Sequence, residues 1–160
     1  MSKSFVVVRK AEITKRRLRA MGRRVDNPEP AWPRVGKYLS LTVRRQFLTK
    51  GAHLGTPWKP LKPDYLLWKV MNGYPWQTLV MRGNLRDSFV ERPMSVETYL
   101  GKSAVFGSND RKVVWHQFGT FRNGKRVNPA RPMLVVNPMV RHEVTDILRR
   151  YIRGRGDGVY

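Results

Sequence analysis

The hydrophobic pattern of this chain predicts an α+β fold. An antiparallel sheet of about four strands is packed by a central amphipathic helix and a C-terminal helix, with a basic helical arm in front. Three observations carry that reading. Val35, Leu39, Val43 and Phe47 recur at every fourth residue. Val140, Val144, Ile147, Leu148, Tyr151 and Ile152 form a second helical face near the C-terminus. Between the two lie short alternating runs broken by turn residues.

Taken in order, Phe5 to Val8 suit a short edge strand, and residues 9–24 a helix or basic arm. Ile13, Leu18 and Met21 lend that arm a thin apolar stripe among Arg9, Lys10, Lys15, Arg16, Arg17, Arg19, Arg23 and Arg24, with Glu12 as its one acid. Such dense like charge gains from a counter-surface, DNA phosphate or an acidic neighbour, although a solvated face is the plainer reading. Residues 26–33 hold three prolines and interrupt the pattern. The central helix follows. Pro33 sits near its first turn, where a missing N–H costs little, Tyr38 and Leu48 widen its stripe, and Lys50-Gly51 stops it.

Residues 55–74 are too rich in proline for a helix interior or a central strand, and Trp58, Leu61, Tyr65, Leu66, Leu67 and Trp68 make them too apolar for a free linker. The segment is either pinned on its own core or buried by another subunit. A short helix over 64–71 is expected, with Asp64 as its N-cap. Tyr74-Pro75-Trp76 repeats the aromatic-proline theme.

Residues 87–92, 95–100 and 103–107 read as strands, with Val96, Thr98 and Leu100 alternating against Glu97 and Tyr99. Gly101-Lys102 suits a two-residue hairpin turn. Residues 112–118 suit a helical turn, Asn123-Gly124 marks a loop or small hairpin, and 133–136 a short apolar strand. Asn137-Pro138 supplies the N-cap and first residue of the last helix. These assignments divide the chain into a basic arm (1–27), one α+β domain (28–153) and a glycine-rich tail (154–160) expected to be flexible.

Composition narrows function. The 160 residues are 41% hydrophobic and 11% aromatic, enough for one domain with a modest core rather than a disordered chain. No stretch approaches the roughly 18 apolar residues of a membrane span, and 5–8 is too short a run for a secretory leader. We therefore expect a protein made and used without export. The absence of cysteine excludes disulfides, thiolate metal sites and cysteine nucleophiles. A net charge of +21 favours a polyanionic partner without choosing among DNA, RNA, acidic protein and anionic lipid.

Catalytic signatures are lacking. His53, His116 and His142 stand in no metal-ligand spacing, and His116, flanked by Trp115 and Phe118, reads as a packed structural histidine. His142 and Asp146, one helical turn apart, suit a surface contact. No phosphate loop, dinucleotide fingerprint or nucleophile elbow occurs. Asp87 and Glu91 form the best acidic pair, and salt bridging explains them. No enzyme activity, cofactor or metal is expected.

Four segments, in order, resemble the phage virion morphogenesis family, also called tail-completion proteins. The first is Arg45-Gln46-Phe47 with Gly51 and Thr56-Pro57-Trp58-Lys59-Pro60-Leu61. The second is Leu79 to Phe89, with Gly83-Asn84-Leu85-Arg86-Asp87-Ser88. The third is Val105-Phe106-Gly107-Ser108 followed by Trp115-His116-Gln117-Phe118-Gly119-Thr120. The fourth is Pro129-Ala130-Arg131-Pro132-Met133-Leu134, leading into a terminal helix. Together they span residues 45–152 and leave the basic arm uncovered.

The resemblance implies a virion subunit made in the host cytoplasm that forms a ring, hexameric by preference, at the head–tail junction. Its partners would be further copies of itself, a head connector or stopper, and a tail-tube or tail-terminator protein, with genomic DNA in the channel and no membrane. In that setting Trp58, Leu61, Trp68, Trp76, Phe118 and Met133 would supply apolar area between subunits, with His116, Gln117 and Arg131 at the same interface, and His116 and Gln117 would hydrogen-bond the backbone near Arg131. The arm, Arg9 to Arg24, would meet DNA or an acidic partner. The competing reading is a stand-alone nucleic-acid-binding protein using that arm. A nuclease is a third, resting on Asp87 and Glu91 alone.

Overall fold

The computed structural model describes residues 11–154. The expected strand at 5–8, Arg9, Lys10 and the tail beyond Gly154 lie outside the described residues. The fold is α+β. Six helices, α1 (Ala11–Asp26), α2 (Trp32–Leu48), α3 (Pro63–Met71), α4 (Asn84–Val90), α5 (Lys112–Phe118) and α6 (Pro138–Arg153), are interleaved with strands β1 (Val96–Leu100), β2 (Ser103–Gly107), β3 (Thr120–Arg122) and β4 (Lys125–Asn128).

The central helix forms where the four-residue repeat places it, and its stripe divides the core in two. Val35 and Leu39 pack with Leu54, Met94, Val140 and Ile147. Val43 and Phe47 pack with Trp58, Leu85, Phe89 and Met133. Burying a side chain of this size is worth about 1.5–3 kcal/mol, so α2 organises both clusters. Leu48, expected to widen the stripe, points to solvent, because one residue past Phe47 turns the helix about 100° off the buried line. After α2, Lys50 and Gly51 adopt positive φ (50° and 91°) and fold the chain back. A Cβ on Gly51 would lie 2.2 Å from the Thr56 carbonyl oxygen and 2.5 Å from Trp58 Cδ1, so only glycine admits this return.

The terminal helix is capped as expected: Asn137 Oδ1 accepts from the Val140 N–H at 2.9 Å, and Pro138 opens the first turn. The end of α1 is fastened to the end of α6. Arg24 Nη1 donates to the Ile152 carbonyl at 3.2 Å, and the Tyr151 hydroxyl to the Asn27 carbonyl at 2.8 Å.

Among the described residues there are four strands, but as two separate antiparallel hairpins, β1–β2 and β3–β4, instead of one sheet. The first turns at Gly101-Lys102, pairing Leu100 with Ser103. The second turns at Asn123-Gly124, both with positive φ, the conformation a tight right-twisted hairpin requires. The first hairpin rests against the start of α2. Trp32 Nε1 donates to the Gly101 carbonyl at 2.9 Å, and Arg92 Nη2 to the Pro33 carbonyl at 3.1 Å. Its inward side carries a polar knot. The Glu97 carboxylate, almost wholly covered, accepts from Arg92 Nη2 at 2.6 Å, from the Met94 N–H at 2.8 Å and from the Tyr99 hydroxyl. Burial, then the adjoining carboxylate, raises the Tyr99 phenol above its ordinary pKa.

Three local expectations are corrected. Residues 87–92 are not a strand. Leu85 and Phe89, one helical turn apart, are both buried, so α4 is the conformation that places both on the core. Helix α3 begins at Pro63 with Lys62 at the cap position, and Asp64 lies in the first turn without capping. Residues 133–136 are not a strand: the chain bends at Met133, and the Gln117 amide takes the Met133 N–H and the Leu134 carbonyl that a neighbouring strand would need.

Candidate assembly interface

Residues 130–134 form a strap across the second core cluster, and its backbone is held by side chains. Met133 N–H donates to Gln117 Oε1 at 3.0 Å, and Gln117 Nε2 donates to the Leu134 carbonyl at 2.7 Å. The glutamine amide thus takes the place of a peptide unit on an adjoining strand. The Pro132 carbonyl accepts from Gln46 Nε2 (3.0 Å) and Trp58 Nε1 (2.9 Å). Arg131 N–H donates to the His116 carbonyl at 2.6 Å, and the Arg131 guanidinium reaches the carbonyls of Lys59 (3.0 Å) and Pro60 (3.3 Å). Gln46, fully buried, also accepts from the Leu54 N–H at 2.9 Å and donates to Thr56 Oγ1 at 3.0 Å. Three of the four segments singled out in the sequence therefore bond at this strap, and the second packs into the core cluster beneath it through Leu85 and Phe89. His116 and Gln117 do hold the backbone around Arg131, His116 through its carbonyl and not its ring.

This geometry places several of the interface candidates in the chain's own core. Trp58 is 7% exposed, Met133 is fully buried and Arg131 nearly so. Their surface is already covered by the chain's own core, which leaves little for a neighbouring copy. The physical reason is the return at Gly51, which lays Trp58 edge-on against Phe47, with ring centroids 5.2 Å apart. Leu61 is half-buried.

Other predicted residues do remain outside. Trp68 stacks between Tyr65 (5.7 Å) and Tyr74 (5.9 Å) and stays 46% exposed. Trp76 is exposed beneath Lys50 Nζ, 4.5 Å from its ring centroid. The loop carrying Trp76 is tied by Lys69, whose buried ammonium donates to the carbonyls of Gln77 (2.8 Å) and Val80 (2.6 Å). Burial pushes the Lys69 pKa below its ordinary range.

The larger apolar surface was only partly foreseen. Phe118 is 67% exposed, and Val114 and Trp115 on the same helix, with Phe121 and Val127 on the hairpin that follows, are each more than half exposed. Val114 and Trp115 lie four and three residues before Phe118 on α5, so the three share one helical face. That spacing was the available signal. The β4 strand is exposed along its whole length.

On α1, Lys15, Arg16, Arg17, Arg19 and Arg23 are exposed, whereas Arg24 is half-covered against α6. Asp87 pairs with Arg86 Nε at 2.7 Å and lines a shallow groove with Asn84, Ser88, Glu91, Pro93 and Ser95. His142 contacts Glu143 at 3.9 Å, on its own turn of α6. Among the described residues no group of three or more His, Asp or Glu side chains is placed to hold a metal ion, and no helix is long and apolar enough to cross a membrane.

His116 yields a pH prediction. Burial first, then the positive charge of Arg131, lowers its pKa from the ordinary 6.5; Asp110 opposes this, and Lys112 adds a smaller lowering effect. Unfolding releases the ring to take up a proton, so in this window the unfolded state binds more protons than the folded one. Stability should fall as pH drops from 6.5 toward the lowered folded-state value, then level off. In urea titrations across that range His116→Gln should remove this part of the slope; an unchanged slope would assign it elsewhere.

A family model matches residues 10–153 and is described as the phage virion morphogenesis family. The chain belongs to the phage virion morphogenesis family. Membership supports a structural role in assembling a phage virion. The match begins at residue 10, so it takes in α1, which the four sequence segments left out. No curated protein and no solved structure matches the chain. The strap, the α5 face and the basic helix all fall inside the matched region of this virion morphogenesis protein.

Proposed function

We propose that this virion morphogenesis protein is a non-enzymatic ring subunit at the head–tail junction. A hexameric ring would join a head connector or stopper to the tail tube or terminator and leave a channel for DNA. The observation that carries this reading is the exposed apolar face of α5 and the β3–β4 hairpin. A two-stranded ribbon is marginal by itself in water, and exposed Trp, Phe and Val side chains on two successive elements mark a candidate contact surface. A second exposed aromatic cluster, Tyr65, Trp68 and Trp76, sits on and after α3. A head-to-tail ring needs two different complementary faces on each subunit, and the two clusters supply candidates. In this setting the mechanism is assembly, not turnover.

Sedimentation of the purified full chain should give a concentration-dependent oligomer. Gold-labelled antibody should decorate the neck of intact particles in electron micrographs. A protein that stays monomeric with tails and heads present, or that is labelled elsewhere, would overturn the reading.

A further inference from the structure

We propose that the tip of the β3–β4 hairpin binds the phosphate backbone of duplex DNA, with Arg122 and Lys125 as its two cationic contacts. This contact needs no ring and is separate from the subunit surface of α5. The strand register sets Arg122 directly opposite Lys125, on either side of the Asn123-Gly124 turn. Residues opposed in an antiparallel pair share a face, with Cβ atoms about 5 Å apart, and like charges placed there repel. Both residues are exposed, and neither is paired with a carboxylate among the described residues. The surrounding sequence offers none: between Asp110 and Glu143 the chain has seven Lys or Arg and no Asp or Glu. Phe121 and Arg126, the next opposed pair, take the other face, where the Arg126 guanidinium lies 5.2 Å from the Phe121 ring centroid.

An anion seated between Arg122 and Lys125 turns their repulsion into charge-assisted hydrogen bonds. The rest of the tip selects the source of that anion. Residues 122–126 are Arg, Asn, Gly, Lys and Arg, all exposed, and bring no apolar side chain. A protein contact is anchored by desolvated aromatic and aliphatic groups, which this tip cannot supply. A second copy also brings another chain of net charge +21. DNA backbone contacts need Arg, Lys and Asn side chains and little else, and the tip has all three. A two-stranded ribbon also fits the major groove, about 12 Å wide. Contacts to phosphate carry no sequence preference, so the binding is expected on any duplex.

The test is fluorescence anisotropy of the full chain with a labelled mixed-sequence DNA duplex across a salt series. Arg122→Gln/Lys125→Gln is set against Lys15→Gln/Arg16→Gln on α1, which removes the same two charges from exposed positions. The tip variant should bind about ten-fold more weakly, and its log–log salt slope should fall by about 1.8, two phosphate contacts at roughly 0.9 each. The α1 variant should keep most of both. Equal losses in the two variants would spread the contact over the whole cationic surface and overturn the proposal. Unchanged binding by the tip variant, no binding by the unmodified chain, or tip-dependent binding of polyglutamate as tight as that of the duplex would also overturn it. Arg122→Lys keeps both charges and should keep the slope; a loss there would trace the effect to the shape of the hairpin and remove the phosphate assignment.

Discussion

Trp58→Ala is expected to lower folding stability by roughly 4 kcal/mol, read from the urea midpoint of the dilute monomer. The indole fills the second core cluster against Phe47 and Met133. Its removal opens a cavity there and also withdraws the Nε1 hydrogen bond that fastens the Pro132 carbonyl. Trp58→Phe separates the two contributions: it keeps most of the volume and should cost nearer to about 1 kcal/mol plus a modest packing loss. The result matters beyond stability, because the aromatic-proline segment admits two readings from sequence, a subunit contact or a core plug. A variant that keeps the monomer midpoint and loses only the oligomer would restore the first.

The complementary change is Trp115→Asp with Phe118→Asp. Both side chains are more than half exposed, so monomer stability should move by no more than about 0.5 kcal/mol for each. Assembly should respond far more. Each aromatic at the centre of a contact typically carries 2 kcal/mol or more, so the pair should weaken one interface by about a thousand-fold. In a closed ring the same defect recurs at every interface, so sedimentation should show only monomer at concentrations where the unmodified chain is assembled. An oligomer that persists in this variant would move the contact surface away from α5 and the second hairpin.

Much of the fold was legible from residue order. The α2 stripe, the Asn137-Pro138 start of α6 and the two-residue turns at Gly101-Lys102 and Asn123-Gly124 are local signals. Each is set by periodicity or backbone preference within a few residues. The errors also have local causes. Residues 87–92 carry β-compatible side chains, but the deciding pair, Leu85 and Phe89, straddles the edge of that window. Residues 133–136 have the apolar composition of a strand, yet the Met133 N–H and the Leu134 carbonyl bond to Gln117, a choice no local pattern records.

The interface was less legible than the fold. Sequence marks which residues are large and apolar, and burial decides whether any of that area remains for a partner. Trp58, Trp68 and Trp76 look alike as proline-flanked or proline-near aromatics, but one is 7% exposed and the others are close to half exposed. The Lys50-Gly51 return nearby brings Trp58 back to α2 but does not by itself cover it. Its burial depends on the strap arriving from Pro132, 74 positions away.

By itself the order of residues determined the α+β class, the helix and hairpin positions, the positive charge and the family, since all of these are set by short-range periodicity, turn chemistry and composition. Only the tertiary structure decided that the four strands form two ribbons, that Gln46, Gln117, Trp58 and Arg131 bind one strap, and that α5 and α1 turn apolar surface outward. Those outcomes depend on which distant groups meet. A buried amide or indole finds its partner only when the whole chain has closed around it.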